Sequence, residues 1–367
     1  MAAGLYIHVP FCASKCPYCD FYSLCGSAEL YDAYTEAVVR ELKRTPRMSV
    51  NTVYFGGGTP SVLGGDRLAR MLGAARERFG ISPEAEITAE INPGDASEKL
   101  LTAMRDAGFD RISMGVQSGV DLELRALGRR HDTAQAARAV ALARDAGFDN
   151  ISLDLMLAVP GQNGATLERS VDFLCSLGPE HISAYLLKLE EGTPFAAMKD
   201  ALCLPDDDAQ AELYLQAVGL LEKNGYRQYE ISNFAKPDRE SRHNLKYWRC
   251  EEYIGIGPAA HGFVGGRRYY YPRDIAGFIA DPQPVDDGEG GSEEEYVMLA
   301  LRLSEGLTAE GWSRRYGGEL PRAMLERAKL YEKAGLLVCG EKGIRLLPQG
   351  FLVSNSIIAE LIDSLES

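Results

Sequence analysis

The sequence predicts an α/β protein: an open, partial β/α barrel of about six strand–helix units, followed by a smaller helical part. Three observations predict it. From residue 1 to about 190, short β-rich runs alternate with amphipathic stretches. Three thiols in the pattern CxxxCxxC follow the first of those runs directly. Beyond about residue 190 the alternation breaks down, and the chain closes with helices and a hairpin.

Taken in order, the runs that read as strands are Leu5–Val9, Thr52–Phe55, Glu86–Ile91, Arg111–Val116, Ile151–Leu157 and Ile182–Leu187. Between them Ala33–Arg44, Asp66–Phe79, Ala96–Ala107 and Thr133–Ala146 carry helical patterns. Two of these helices close alike, at Asp106-Ala-Gly-Phe109 and Asp145-Ala-Gly-Phe148, where glycine supplies the C-cap before the next strand. Such alternation implies a parallel sheet with right-handed crossovers. About six units are too few to close an eight-stranded barrel, and site residues should gather at the C-terminal ends of the strands.

Further on, Asp206-Asp207-Asp208 suits a helix N-terminus opening Ala209–Asn224. Tyr229–Phe234 reads as one more strand. Asp281–Glu295, rich in proline, glycine and acid, reads as a linker or surface loop. It divides the chain into 1–284 and 285–367. The second part carries helices at Tyr296–Leu303 and Ala323–Ala334. Leu336–Cys339 and Ile344–Leu347 flank a turn at Gly343, and a last helix spans Gly350–Ile362. Helices followed by a hairpin suggest a winged-helix-like element.

Composition narrows the function. With 46% hydrophobic and 25% charged residues this is an ordinary globular chain. A net charge of −14 disfavours a broad nucleic-acid footprint, which needs clustered Lys and Arg. The start MAAGLYIHVPF has neither a basic n-region nor a long apolar core, and eight cysteines in that setting read as reduced thiols. The expected compartment is the cytoplasm.

The chemistry centres on Tyr6–Phe21, where Cys12, Cys16 and Cys19 form a soft ligand set at the end of a strand. Zinc usually closes its shell with four protein ligands, and the nearest fourth thiol here is Cys25. A [4Fe–4S] cluster on three thiolates instead leaves one iron open to a small molecule. Other candidates sit at later strand ends. Gly57 and Gly58, with Gly56 and Thr59, let backbone approach a ligand and present bare N–H groups. Glu90 ends the third strand, Gln117 the fourth, and Arg129 follows on the next helix. Asp154, a carboxylate inside an apolar strand, needs a partner. Tyr6 and His8 point from the first strand toward the same end, although His8 suits a satisfied buried histidine equally well.

A second stretch holds His243, Asn244, Tyr247 and Trp248 in the pattern HNxxYW, followed by YIGIGPAAHGF. If helical, His243 and Tyr247 share one face, and Asn244 and Trp248 another. An imidazole among flat aromatics suits a haem ligand or porphyrin-edge contact, or else a core histidine under an aromatic lid. His261 and Cys250 are the alternative iron ligands.

CxxxCxxC with Tyr18 just before the third cysteine resembles the signature of radical S-adenosylmethionine (SAM) proteins. That resemblance implies a [4Fe–4S] cluster on Cys12, Cys16 and Cys19 whose open iron chelates SAM and whose electron cleaves it to a 5′-deoxyadenosyl radical. More of the chain follows suit. YIHVPFCxxxCxYCDF, FGGGTPS, EINP, RISMGVQS, HNLKYWR and YIGIGPAAHGF occur in the order of the oxygen-independent coproporphyrinogen III oxidase family. The resemblance implies SAM contacts from Tyr6, Gly57, Gly58, Thr59, Glu90, Gln117, Arg129 and Asp154. True oxidases carry a further cysteine straight after the motif, as CxxxCxxCxC, where this chain has Phe21. They also carry a longer N-terminal segment. Both departures, with HNxxYW, resemble the HemW-like branch of haem chaperones, in which HNxxYW is the haem-binding motif. The implied role is haem binding and transfer, with SAM and cluster retained. Its implied partners are haem or porphyrin and haem-acceptor proteins; it is compatible with a peripheral membrane contact, and no nucleic acid is implied. The rival reading is the oxidase itself, decarboxylating two propionates of coproporphyrinogen III to vinyls.

Overall fold

The computed structural model of the protein describes residues 2–365. Six β/α units build its first half. They begin with β1 (Ala3–Val9), α1 (Ala28–Arg44), β2 (Ser49–Gly57), α2 (Gly65–Arg78), β3 (Gly80–Ile91) and α3 (Glu98–Ala107). Next come β4 (Arg111–Gln117), α4 (Asp121–Ala126), α5 (Thr133–Asp145), β5 (Asn150–Leu157), α6 (Gly164–Ser176) and β6 (His181–Leu186). The helices start where side chains can accept from orphaned backbone N–H groups. Ser27 and Ser97 cap α1 and α3, and full capping boxes at Asp132 and Asn163 open α5 and α6. Gly108, in the left-handed region at φ 98°, ends α3 as the Asp-Ala-Gly-Phe pattern predicts.

The six strands lie side by side and parallel in sequence order. Every residue of β4 is buried, as expected where helices cover one face of a curled sheet and the other faces the barrel interior. β1 and β6 are not neighbours in the sheet, so the barrel stays open. The sheet does not stop at six strands. It is twelve-stranded, and its flanks come from the segments that follow α7 (Pro194–Ala197) and α8 (Asp207–Lys223).

On one flank β8 (Asn233–Ala235) pairs antiparallel with β6, and β7 (Arg227–Gln228) pairs antiparallel with β8. The expected strand Tyr229–Phe234 is therefore half turn: the Tyr229 N–H bonds to the Asn233 carbonyl at 3.1 Å and folds the run back on itself. After α9 (Arg242–Trp248), the other flank begins with β9 (Tyr253–Ile256), parallel to β1. It continues antiparallel through β10 (His261–Val264), β11 (Arg267–Tyr270) and, after α10 (Ile275–Ala280), β12 (Val285–Glu289). The stretch expected to be a linker thus contains the sheet's edge strand. Its acids are matched by arginines, Arg267 pairing with Asp286 and Arg268 with Glu295.

The second part runs α11 (Glu293–Ala300), β13 (Leu307–Thr308), α12 (Ala309–Tyr316), α13 (Arg322–Lys333), β14 (Leu337–Gly340) and β15 (Gly343–Leu346). β15 lies between β13 and β14, which is the winged-helix order. The expected last helix is broken at Val353 into α14 (Pro348–Leu352) and α15 (Ser354–Asp363). One continuous apolar core runs through both parts, from Leu5 in β1 to Leu361 in α15. Among the described residues no helix is long and apolar enough to cross a membrane.

Candidate functional site

A cavity of ≈ 160 Å³ opens at the C-terminal ends of β1–β6 and is lined by Cys12, Cys16 and Cys19. The thiols are carried by a loop pinned at its base. The Cys12 N–H bonds to the Leu24 carbonyl at 3.0 Å and the Leu24 N–H to the Pro10 carbonyl at 2.9 Å. Phe11 is fully buried against Tyr31 and Tyr34, which anchors the loop in the core. On its far side Tyr18 packs on Phe195, and the Phe195 N–H bonds to the Pro17 carbonyl at 3.0 Å. Residues beyond β6, where the alternation stops, therefore clamp the cysteine loop.

Arg129 ties that loop to the strand ends. One guanidinium nitrogen donates to Cys16 Sγ and to the Tyr18 hydroxyl, both at 3.4 Å. The other donates to Asn92 Oδ1 and the Gly115 carbonyl, both at 2.7 Å. Arg129 is not on a helix, as expected from sequence, but in the turn that follows α4, where Gly128 at φ 70° redirects the chain. Its Nε is buried with no protein partner. Burial pushes the Cys12 and Cys19 thiols up, against which a bound cation would favour the thiolates. Among the described residues no three His, Cys, Asp or Glu converge on a point that would hold a single ion. A cubane binds each thiolate at a different iron, and three thiols lining one cavity suit it.

Seven of the eight expected SAM contacts line the same cavity: Gly57, Gly58, Thr59, Glu90, Gln117, Arg129 and Asp154. The glycines act differently from expectation. The Gly57 N–H donates to Glu90 Oε2 at 3.1 Å, that of Gly58 to the Val9 carbonyl at 2.8 Å, and that of Thr59 to the Phe11 carbonyl at 2.6 Å. These N–H groups are engaged within the protein. Glycine is needed because the loop runs against the cysteine segment: a Cβ at Gly58 would sit 2.5 Å from the Phe11 carbonyl oxygen.

Glu90 Oε1 accepts from the Tyr54 hydroxyl at 2.8 Å. Burial is the larger influence and pushes its carboxyl up to about 7. Asp154 is likewise pushed up to about 6 by burial, with the nearby Arg129 and Arg111 charges pulling the other way. The partner it needs is the Ser113 hydroxyl, 3.5 Å from Oδ1. Gln117 holds a left-handed backbone, φ 74°, and accepts from the Tyr185 hydroxyl at 2.9 Å, a strained residue of the kind that marks functional sites.

Tyr6, the eighth, does not line the cavity. Its hydroxyl bonds to His8 Nδ1 at 3.0 Å, and its ring lies within the barrel beside Tyr54 and His243. His8 is the buried, satisfied histidine, with Nε2 donating to the Tyr22 carbonyl at 3.1 Å; burial pushes it down to about 4. Asn92, Ser113, Tyr54 and Tyr185 were missed in the sequence. Only Asn92 carried a signal, its place two residues after Glu90 in EINP.

HNxxYW folds as α9, so its faces pair as expected. His243 is 1% exposed and sits at the opposite, N-terminal end of the barrel from the thiols. Its Nδ1 bonds to Thr52 Oγ1 at 2.8 Å and its Nε2 to the Tyr247 hydroxyl at 2.8 Å. The ring stacks on Tyr54 at 5.3 Å between centroids, which completes a core histidine under aromatic neighbours. Both ring nitrogens thus have protein partners. Asn244 and Trp248 face outward and are half-buried.

The sequence pattern of the radical SAM superfamily matches residues 6–174, and that of the HemN C-terminal domain matches residues 294–353. The chain is 36% identical to the heme chaperone HemW of Mycobacterium tuberculosis, over 98% of this chain and 94% of that one. The chain belongs to the HemW family. It is 41% identical to the heme chaperone HemW of Escherichia coli over 71% of this chain and 70% of that protein. With the mitochondrial radical S-adenosyl methionine domain-containing protein 1 of Danio rerio it shares 32% identity over 99% of this chain and 88% of the other. The fold is that of E. coli coproporphyrinogen III oxidase, at a TM-score of 0.82 and 21% identity over 99% and 91% of the two chains.

Proposed function

We propose that this protein binds haem and passes it to acceptor proteins, with a [4Fe–4S] cluster on Cys12, Cys16 and Cys19 and SAM in the adjoining cavity. The similarity to HemW proteins over nearly the whole chain carries the reading. The cavity supports it, because one wall bears three thiols and the others bear groups suited to a cationic, amino-acid-bearing nucleoside. A bound cluster would supply a one-electron donor and an open iron that chelates SAM.

The protein's own groups do the positioning. Arg129 fixes the cysteine loop against β3 and β4 and places a positive charge beside Cys16. Glu90, held by Tyr54 and Gly57, offers a carboxylate to an ammonium or to ribose hydroxyls. Gln117 and Asp154 complete the wall on β4 and β5.

Protein reconstituted without oxygen should show iron–sulfur absorbance that Cys16→Ser abolishes, and should take up haem with a Soret band. It should leave coproporphyrinogen III unchanged when supplied with SAM and reductant. Turnover to protoporphyrinogen would assign the chain to the oxidase instead, and stoichiometric zinc with little iron would overturn the cluster.

A further inference from the structure

One thiol of the cysteine region stands outside the cluster set. Cys25 is exposed and does not line the cluster cavity. Its place beside Cys12 is fixed by the backbone. Phe11 and Leu24 pair as a parallel β-bridge, held by the Cys12 N–H on the Leu24 carbonyl at 3.0 Å and the Leu24 N–H on the Pro10 carbonyl at 2.9 Å. Both Phe11 and Leu24 pack into the core. Side chains alternate between the faces of paired strands, so Cys12 and Cys25, one residue further along each, leave together by the opposite face.

The spacing suits a covalent link. Paired strands run about 5 Å apart, and a disulfide joins Cα atoms about 4.4–6.8 Å apart. The two segments stay together past the bridge: the Cys25 thiol donates to the Ala13 carbonyl at 3.5 Å, and Cys25 lies near enough to act on the charge of Cys12. Both thiols are free in the structure.

We propose that Cys12 and Cys25 close a reversible disulfide in the cluster-free protein, and that this bond bars the cluster until it is reduced. The bond removes one of three cluster thiols, and the two that remain hold a cubane poorly. That consequence rests on the three-thiol cluster; the bond itself does not.

A peroxide supplies the oxidant. The exposed Cys25 thiolate attacks one oxygen of hydrogen peroxide and the O–O bond breaks, leaving a sulfenic acid and, after proton uptake, water. The Cys12 thiolate then attacks that sulfur, the S–S bond forms, and the departing hydroxide takes up a proton as a second water. Two thiols have given up two electrons and two protons. A dithiol reverses the change: one thiolate opens the bond through a mixed disulfide, and its second thiol closes the reductant's own disulfide and frees both cysteines. In a reducing compartment such pairs are transient and redox-sensing. Cys16 and Cys19 are the competing pair, since the Cys19 N–H bonds to the Cys16 carbonyl at 3.1 Å; Cys16 Sγ, however, already accepts from Arg129 at 3.4 Å.

The test uses the full-length, metal-free chain, treated with one equivalent of hydrogen peroxide, alkylated, digested and mapped by mass spectrometry. A peptide pair joined through Cys12 and Cys25 should appear, with two fewer alkylated thiols than the eight of the reduced chain. Loaded anaerobically with ferrous iron and sulfide, oxidised wild type should take up on the order of tenfold less cluster than reduced wild type, read by absorbance and iron content. Dithiothreitol should restore loading, and Cys25→Ser should load as fully as reduced wild type after the same peroxide treatment. A bond mapped between Cys16 and Cys19 instead, or full alkylation of Cys12 and Cys25, overturns the proposal. Equal loading of oxidised and reduced wild type overturns it too. If the reduced chain takes up stoichiometric zinc and builds no cluster, the cluster reading falls while the mapped bond stands.

Discussion

Glu90 shows how one residue's surroundings set its chemistry. Its carboxyl is raised to about 7, mainly by burial, while the Tyr54 hydroxyl and the Gly57 N–H favour the ionised form. A cationic ligand needs that ionised form. SAM affinity of cluster-loaded protein should therefore rise between about pH 6 and pH 8, and Glu90→Gln should flatten the rise in calorimetric titrations. Stability moves in the opposite direction. Because the folded-state value lies above the ordinary 4.5, the contribution is fully present below that value and is lost as pH rises through about 7. Ligand-free Glu90→Gln should thus melt higher than wild type near pH 8, with a smaller difference near pH 5. Gly58 is constrained by space alone. In Gly58→Ala the new Cβ would press on the carbonyl oxygens of Phe11 and Val9, both backbone atoms that cannot swing aside. We expect a loss of about 2–4 kcal/mol in urea unfolding and reduced iron content, because Cys12 is displaced with Phe11.

Among the elements, α9 carries the widest gap between motif and placement. The helix plugs the barrel end remote from the thiols. His243 bridges Thr52 of β2 and Tyr247, while Glu86 of β3 accepts from the N–H groups of Arg242 and His243. Removing the imidazole leaves two buried hydroxyls without a partner and opens a cavity. His243→Ala should therefore cost about 2–5 kcal/mol in denaturant unfolding. Loss of the haemin Soret band from folded His243→Ala, verified by circular dichroism, would assign the histidine of HNxxYW to the haem site, and an unchanged band would remove it.

At the scale of the whole molecule, barrel and winged-helix part share one core. Leu5, Leu221, Val297 and Leu361 belong to the same packed cluster, and the Ile231 N–H bonds to the Arg302 carbonyl at 2.9 Å across the two parts. Folding should be cooperative throughout. The two tryptophans stand on opposite sides of the division, Trp248 in α9 and Trp312 buried in α12. Single-tryptophan variants Trp248→Phe and Trp312→Phe should report coincident urea transitions. Separated midpoints would mean that the two parts unfold independently.

Much of this architecture was legible because it is written locally. Strand–helix alternation and glycine C-caps are short-range signals, and they located the six parallel strands and the cleft at their ends. The cysteine spacing did the same for the thiol wall. What eluded the sequence depends on contacts between distant segments. Arg267 and Arg268 turn an acidic loop into the edge strand β12, the Tyr229–Asn233 bond folds a strand into a turn, and the clamp on Tyr18 comes from Phe195.

The sequence by itself determined the family, the parallel sheet and the residues gathered around the cleft, since each of these rests on order and spacing along the chain. Only the tertiary structure decided which polar groups remain available. Whether a histidine can meet an iron, or a glycine N–H a ligand, depends on the partners that folding brings to it. It enclosed His243 and left His261 exposed.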